Sequence, residues 1–460
     1  MVHNTRLFAL FSTKEMNIKY EKSSAKRENL TLPIASRGDC MENAYIKNRN
    51  SLLEKIEPES VVVIDSGKSA HKTFDEFEKY VPNRNFYYLT GLSEPNLKLM
   101  IVKGKKKNIL MLFIEETTEY MKKWVGAKIS KEKASEISGI EKTKIHYLDK
   151  FEDIFRGMMT YGRGIGVAPP KSCYLDLFRV TKDEEPISHT QFKFILDNYK
   201  ELNIKNINEQ ISYLRMFKAD FEIEYLQKAI NITELGLNRI LSGLNKRTNE
   251  CQLEADFLHE ITLEGSQGVS FDTIAASGRN ATTLHYDENN SELVNGNLIL
   301  FDLGALYNNY GSDISRTYPI NGKFSNRQKV LYEIVLKANK ETIEYVKPGI
   351  TWTELNDFAK KILIKECKSI GLIKNDEEIN KYYYHSIGHY LGLNVHDVGH
   401  YELELIEGMV LTIEPGLYIT EENTGIRIED DILITKDGCI NLSKNIIKEV
   451  KDIEEYLNKK

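Results

Sequence analysis

The chain reads as a mixed α/β protein of two domains, the second built from a repeated helix–helix–strand unit. Three observations predict this. Short β-branched and apolar runs alternate with helical stretches up to about residue 205. Beyond that point the order helix, helix, strands occurs twice, in halves of ~100 residues, longer than solenoid repeats. At 460 residues the chain also exceeds what one hydrophobic core usually organises.

The elements follow in order. Residues 1–40 are polar, lysine-rich and aperiodic, and are expected to form a poorly ordered extension. Their apolar stretch, Leu7 to Phe11, is too short for a secretory signal. Residues 41–205 form the first domain. Asn50 to Ile56 is helix-like, Ser60 to Asp65 is a strand, and strands are expected at Phe86 to Leu89, Leu99 to Val102 and Ile109 to Phe113. Residues 206–460 form the second domain. Helical spacing runs through Phe221 to Leu244 and Gln252 to Leu263, and strands lie between Val269 and Ile320. Ser325 with Gln328, and Thr351 with Glu354, are capping-box starts of two further helices. A second strand block then runs from Tyr382 to Thr435. Two such halves folded face to face leave a cleft between their strands.

Composition removes several function classes. With 41% hydrophobic and 28% charged residues the chain is not a disordered one. No run approaches the ~18 apolar residues of a membrane helix, so a soluble protein without membrane contact is expected. The formal charge is −6, and basic clusters such as Lys103 to Lys107 are small, which argues against a nucleic-acid partner. Five scattered cysteines without a CxxC pair fit neither a disulfide framework nor a structural zinc site. They fit a reducing cytoplasm.

The chemistry concentrates late in the chain. Asp302 is a single charge in the apolar run Leu298 to Ala305, and Asp313 follows a Tyr-Asn-Asn-Tyr-Gly turn. A hairpin centred between Tyr307 and Asn308 would set the two aspartates directly opposite, with Cβ atoms ~5 Å apart. Glu414 and Glu429 repeat the arrangement in a hairpin centred between Glu421 and Glu422. Facing acids repel, and burial adds to the cost. Exposed acidic hairpin faces would avoid it, but Asp302 and Glu414 sit in strongly apolar runs. Cations would turn the repulsion into coordination.

Histidines supply nitrogen. Five of the ten fall between His285 and His400, and His385, His389 and His396 lie within twelve residues. His385 and His389 at helical spacing could ligate zinc, but Gly388 and Gly392 favour loop or strand. Four carboxylates with one imidazole make an oxygen-rich site that suits two divalent ions such as manganese. Two ions ~3.5–4 Å apart can hold a hydroxide between them, a nucleophile for a carbonyl.

Asp302, Asp313, His389, Glu414 and Glu429, in this order and spacing, resemble the five-ligand site of the pita-bread metallopeptidases. The surrounding segments Leu284–Asn289, His385–Gly399, Glu414–Gly416 and Gly425–Asp431 are similar to the Xaa-Pro aminopeptidase (aminopeptidase P) branch. Phe86–Pro95 resembles that branch's N-terminal domain. The likeness spans about residues 41 to 450. Ser386 and Asn394 depart from it, standing where glycine and aspartate are common.

The resemblance implies a pita-bread catalytic domain that releases the first residue from peptides with proline second. It implies two divalent metal ions, Mn2+, and a homodimer or homotetramer. Asp302 would hold one metal, Asp313 and Glu429 would bridge, and His389 and Glu414 would complete the other shell. His285, His385 and His396 would orient the peptide and stabilise the oxyanion. Glu414 would also shuttle the proton to the leaving proline nitrogen. Arg427 resembles an arginine near the proline pocket and is equally readable as a charge partner of the neighbouring acids. Trp124 resembles a tryptophan that a neighbouring subunit lends to the site.

Proline offers no amide N–H to a peptidase that grips extended backbone, and a metal-bridging hydroxide attacking the Xaa-Pro carbonyl does not need one. An Xaa-Pro dipeptidase shares fold and ligands but demands a free carboxylate after proline. His396 to Gly399 and Thr90 to Pro95 favour the aminopeptidase. A catalytically silent binding module is the rival of a different class, and intact ligands argue against it and against an amidinohydrolase.

Overall fold

The computed structural model describes residues 39–160, 166–179 and 181–459, so the extension expected over residues 1–40 lies, up to residue 38, outside the described residues. The chain enters in a helix over Asp39–Lys55, longer than the stretch read from the sequence. Six strands follow: β1 (Ser60–Asp65), β2 (Lys98–Lys103), β3 (Asn108–Ile114), β4 (Ile145–Tyr147), β5 (Ser172–Leu175) and β6 (Asn203–Asn206). They form one mixed sheet in the order β4-β3-β2-β1-β5-β6.

The two-residue period of β1 to β3 makes this a sheet with two buried faces. Val62, Ile64, Leu99 and Leu112 face one hydrophobic cluster with Leu52 of the first helix. Val61, Val63, Met100 and Phe113 face another, with Phe151, Phe155 and Met158 of the helix Phe151–Met159.

Phe86–Leu89 is not a strand. It lies in a helix over Arg84–Thr90 whose four central residues are all buried. An aromatic run buried on every side has no period to betray its helix. The caps decide it: Asn83 accepts a hydrogen bond from the Phe86 N–H, and Gly91 at φ 69° closes the C-terminus.

The second domain shows the repeat directly. Helices Asp220–Gly243 and Glu250–Leu263 precede β7 (Ile274–Ser277), β8 (Leu298–Leu303), β9 (Leu306–Tyr307), β10 (Tyr310–Gly311) and β11 (Ile314–Pro319). Helices Asn326–Tyr345 and Trp352–Ser369 precede β12 (Val410–Ile413), β13 (Gly416–Ile419), β14 (Thr424–Arg427), β15 (Asp430–Ile434) and β16 (Cys439–Asn441). Both capping boxes form as read, Ser325 with Gln328 and Thr351 with Glu354. The second strand block is shorter than expected. Residues 382–409 are mostly irregular, and strands begin at Val410.

The first hairpin is shifted from its expected register. Asp302 pairs with Ser315, not Asp313. Asn308 and Asn309 both take positive φ, 48° and 66°, and form a two-residue turn between Tyr307 and Tyr310. This moves the centre by one residue and every partner by two. A shift of two preserves the face, so Asp313 stays on the side of Asp302 as a diagonal neighbour. The second hairpin keeps its register: Ile413 pairs with Asp430 and Gly416 with Arg427, which brackets Glu414 opposite Glu429.

Among the described residues no helix is long and apolar enough to cross a membrane.

Candidate active site

Nine side chains named from the sequence line one cavity of about 540 Å³: His285, Asp302, Asp313, His385, His389, His396, Glu414, Arg427 and Glu429. They arrive on several supports. Asp302 sits near the end of β8, and Asp313 follows β10. The Asp313 N–H donates to Asp431 Oδ2 at 3.2 Å, which ties the first half of the repeat to the second. Ser315, opposite Asp302, continues the tie: its Oγ donates to Glu429 Oε2 at 2.8 Å, and its carbonyl accepts from the Glu429 N–H at 3.0 Å.

The histidine segment is loop, laid along β12 like an extra strand. Thr412 N–H donates to the His389 carbonyl, Glu414 N–H to the Ile387 carbonyl, and Leu391 N–H to the Val410 carbonyl. Gly388 permits the approach, since a Cβ there would lie 2.0 Å from the Thr412 carbonyl oxygen. The result sets His389 Nε2 at 3.3 Å from Asp313 Oδ2 and 3.7 Å from Glu414 Oε1. Its Nδ1 lies 3.0 Å from the Tyr390 carbonyl, so that nitrogen carries the proton and Nε2 offers its lone pair to the cavity.

Behind the acids, helix Asn326–Tyr345 contributes the buried Asn339. Its amide donates to the Ile413 carbonyl at 3.1 Å and the Ile428 carbonyl at 3.2 Å, the residues immediately before Glu414 and Glu429.

The electrostatics are those of buried acids crowded together. Asp302 Oδ1, Asp313 Oδ1, Glu429 Oε1 and Asp431 Oδ1 are buried without a hydrogen-bond partner. Orphaned buried acceptors of this kind are costly. Burial, and then the neighbouring acids, push the carboxyls of Asp313 and Glu429 well above the usual range. Burial does the same to Asp431. Glu414 is pushed up to about 7, chiefly by burial, with His389 and Arg427 opposing. One ligand atom each from Asp313, His389 and Glu429 lie within 4.8 Å of one another. Unpartnered carboxylate oxygens around an imidazole fit divalent cations, whose charge would satisfy them.

One wall is basic. Arg427 donates to Asp302 Oδ2 at 2.6 Å, Ser315 Oγ at 2.8 Å and the Tyr418 hydroxyl at 3.0 Å. Both readings of Arg427 therefore coexist, since it pairs with an acid and lines the cavity. His385 Nε2 lies 2.8 Å from the Tyr418 hydroxyl, and the His396 ring packs edge-on at 4.3 Å from His389. Burial, then Arg427, lower the His385 pKa to about 4. Burial, then His389 and His285, lower that of His396 to about 4. Both are neutral imidazoles at neutral pH, able to donate one proton and accept another.

Ser315, Tyr418, Asn339 and Asp431 were not singled out from the sequence. Asp431 closes a quoted motif, and Ser315 shares a strand face with Asp313. Asn339 carried no signal at all. Trp124 is not among the residues that line this cavity; it is 73% exposed and its ring lies beside Tyr120.

Comparison with known proteins agrees with this geometry. Residues 224–436 match the model of metallopeptidase family M24, and residues 45–165 match the aminopeptidase P N-terminal domain. The chain is 31% identical to Xaa-Pro aminopeptidase of Haemophilus influenzae, covering 90% of this chain and 97% of that one. It is 30% identical to Xaa-Pro aminopeptidase of Escherichia coli at the same coverage. A solved structure from Bacillus anthracis described as an aminopeptidase P superposes with TM-score 0.86 at 46% identity, covering 91% of this chain and 98% of that one. Aminopeptidase P from Escherichia coli with the inhibitor Pro-Leu gives 0.81 at 29% identity, covering 90% and 98%. This chain belongs to the aminopeptidase P branch of metallopeptidase family M24.

Proposed function

We propose that this chain is a metal-dependent aminopeptidase that releases the N-terminal residue from peptides with proline in the second position. The observation that carries the reading is the set of unpartnered, buried carboxylate oxygens around His389, within a chain so similar to Xaa-Pro aminopeptidases. Asp302, Asp313, His389, Glu414 and Glu429 would hold two divalent ions, which we assign as manganese on the oxygen-rich donor set. When bound, such ions supply charge compensation, activation of water and polarisation of the scissile carbonyl.

The chain's own groups do the rest. Glu414 Oε2, 3.8 Å from His385 Nδ1, takes a proton from the attacking water and delivers it to the leaving proline nitrogen. His385 and His396, kept neutral, orient the peptide, and His396 donates to the developing oxyanion with His285. Arg427, fixed by Asp302 and Tyr418, shapes the pocket beside the proline ring.

Residues 41–205 form the N-terminal domain and residues 206–460 the pita-bread catalytic domain. The change from β6, which ends at Asn206, to the helix Asn208–Arg215 supports a boundary close to this point. We assign the protein to the cytoplasm, which the unpaired thiols of Cys173, Cys251, Cys367 and Cys439 support. We also assign it a homodimeric or homotetrameric state, supported by the exposed Trp124, Val125 and Tyr120.

The test is to strip metal with a chelator, restore manganese, and compare an Xaa-Pro dipeptide with an Xaa-Pro-Yaa tripeptide. Metal-dependent release of the first residue from the tripeptide is expected. Cleavage of the dipeptide alone would make the protein a dipeptidase, and silence on both with metal bound would make it a binding module.

A further inference from the structure

Beside the acid-lined cavity lies a second, of about 610 Å³, and His396 and Tyr401 line both. Its wall holds Arg84, from the N-terminal domain, among Phe178, Leu393 and Val395. Among the described residues Arg84 forms no ion pair. Its Nε donates to Asn394 Oδ1 and its Nη1 to Asn309 Oδ1, each at 3.3 Å, long bonds to neutral amides. Its Nη2 donates to nothing among the described residues.

The nearby carboxylates are already engaged. Asp397 gives Oδ1 to Arg215 Nη2 at 2.5 Å and Oδ2 to Lys218 Nζ at 3.3 Å. Asp176 accepts from Asn83, Asn85 and Asn208. Asp397 is thus shared by Arg215 and Lys218, while Arg84 lies in the wall of the cavity. Burial, and then Arg215, lower the Arg84 pKa to about 10. Arg84 is half-buried, and a planar guanidinium with a free edge matches a carboxylate.

We propose that Arg84 is a carboxylate-binding subsite for the peptide substrate, reached past His396 and distinct from the metal-binding acids. The proposal rests on the aminopeptidase reading above. The carboxylate is either the C-terminus of a short peptide or an acidic side chain beyond the proline. Apolar neighbours lower the local dielectric and strengthen the pair.

The test uses manganese-loaded full-length enzyme and two matched substrate pairs. Ala-Pro-Ala as free acid and as amide reports the C-terminal carboxylate. Ala-Pro-Glu amide and Ala-Pro-Gln amide report the side chain. Wild type is expected to favour the acidic member of one pair, which identifies the source. Arg84→Gln is expected to reduce that kcat/KM ratio about tenfold or more, through KM. Arg84→Lys, which keeps the charge and loses the fork, should retain part of the preference, and it serves alone if Arg84→Gln does not fold.

Wild-type ratios near one in both pairs would overturn the proposal, as would an Arg84 variant that slows acid and amide in parallel. That second outcome would mark Arg84 as a staple between the Asn309 turn and the Asn394 loop. Hydrolysis of the neutral Ala-Pro-Ala amide by wild type reports the aminopeptidase reading separately, so failure of one is distinguishable from failure of the other.

Discussion

Removing the metal should give the folded protein an unusual dependence on pH. Asp313, Glu429 and Asp431 hold their protons far above the usual carboxyl range in the metal-free fold, and Glu414 does so to about 7. An acid whose folded pKa is raised stabilises the fold below its unfolded value, near 4, and that stability is lost as pH rises through the folded value. For Glu414, moved from 4.5 to about 7, the loss amounts to about 3 kcal/mol, most of it below pH 7. His385 and His396 act in the opposite sense. Lowered to about 4, they withdraw stability as pH falls from 6.5 toward 4. Above pH 6.5 the protonation left in the unfolded chain fades, and they oppose the acids less and less.

Between pH 6.5 and 8, therefore, the acids increasingly set the slope. Each proton the fold retains and the unfolded chain has lost costs about 1.4 kcal/mol per pH unit. Chemical denaturation of chelator-stripped protein across this range should show stability falling as pH rises. Saturating manganese should abolish the slope, because the cation replaces the protons. A metal-free stability that is flat or rising from pH 6.5 to 8 would refute the reasoning, as would an identical slope with metal bound.

Other variants probe single parts. Glu414→Gln should lower kcat by roughly 10²-fold or more while the protein still folds, read by steady-state kinetics beside a melting curve. Gly388→Ala forces a Cβ against the Thr412 carbonyl and moves His389, so metal affinity measured by competitive chelation should fall about tenfold or more. Arg427→Lys loses the fork that spans Asp302, Ser315 and Tyr418, and kcat/KM should drop about 10–100-fold with little change in melting temperature. Phe86→Ala, far from the acids at 0% exposure, should cost about 3–5 kcal/mol in chemical denaturation.

The parts legible in the sequence were those with a local signature. Capping boxes fix helix starts through two residues three apart, and Ser325 and Thr351 were readable for that reason. Charges inside apolar runs marked Asp302 and Glu414. The first hairpin failed by one residue because the turn was centred between Tyr307 and Asn308, while the positive φ falls on Asn308 and Asn309. The helix at Arg84–Thr90 failed because an element buried on all sides loses its amphipathic period. Ser315, Tyr418 and Asn339 stayed hidden because their task is defined by partners more than 70 positions away for two of them, and hydroxyls and amides are too common to draw notice. Arg84 was equally silent, since the lack of an ion pair among the described residues is a property of the fold.

Asn339 has an implication for how this chain tolerates change. Because a helix side chain grips the backbone just ahead of both Glu414 and Glu429, the spacing of the two acids does not depend on the turn at Thr420–Asn423 that joins their strands. That tip is exposed, tethered sideways by Arg327 to Glu422 and by Lys381 to Glu421. It is mechanically insulated from the chemistry. Residues inserted there would lengthen the hairpin without prying the acids apart, making the tip a natural place for a graft, a label or a lineage-specific loop.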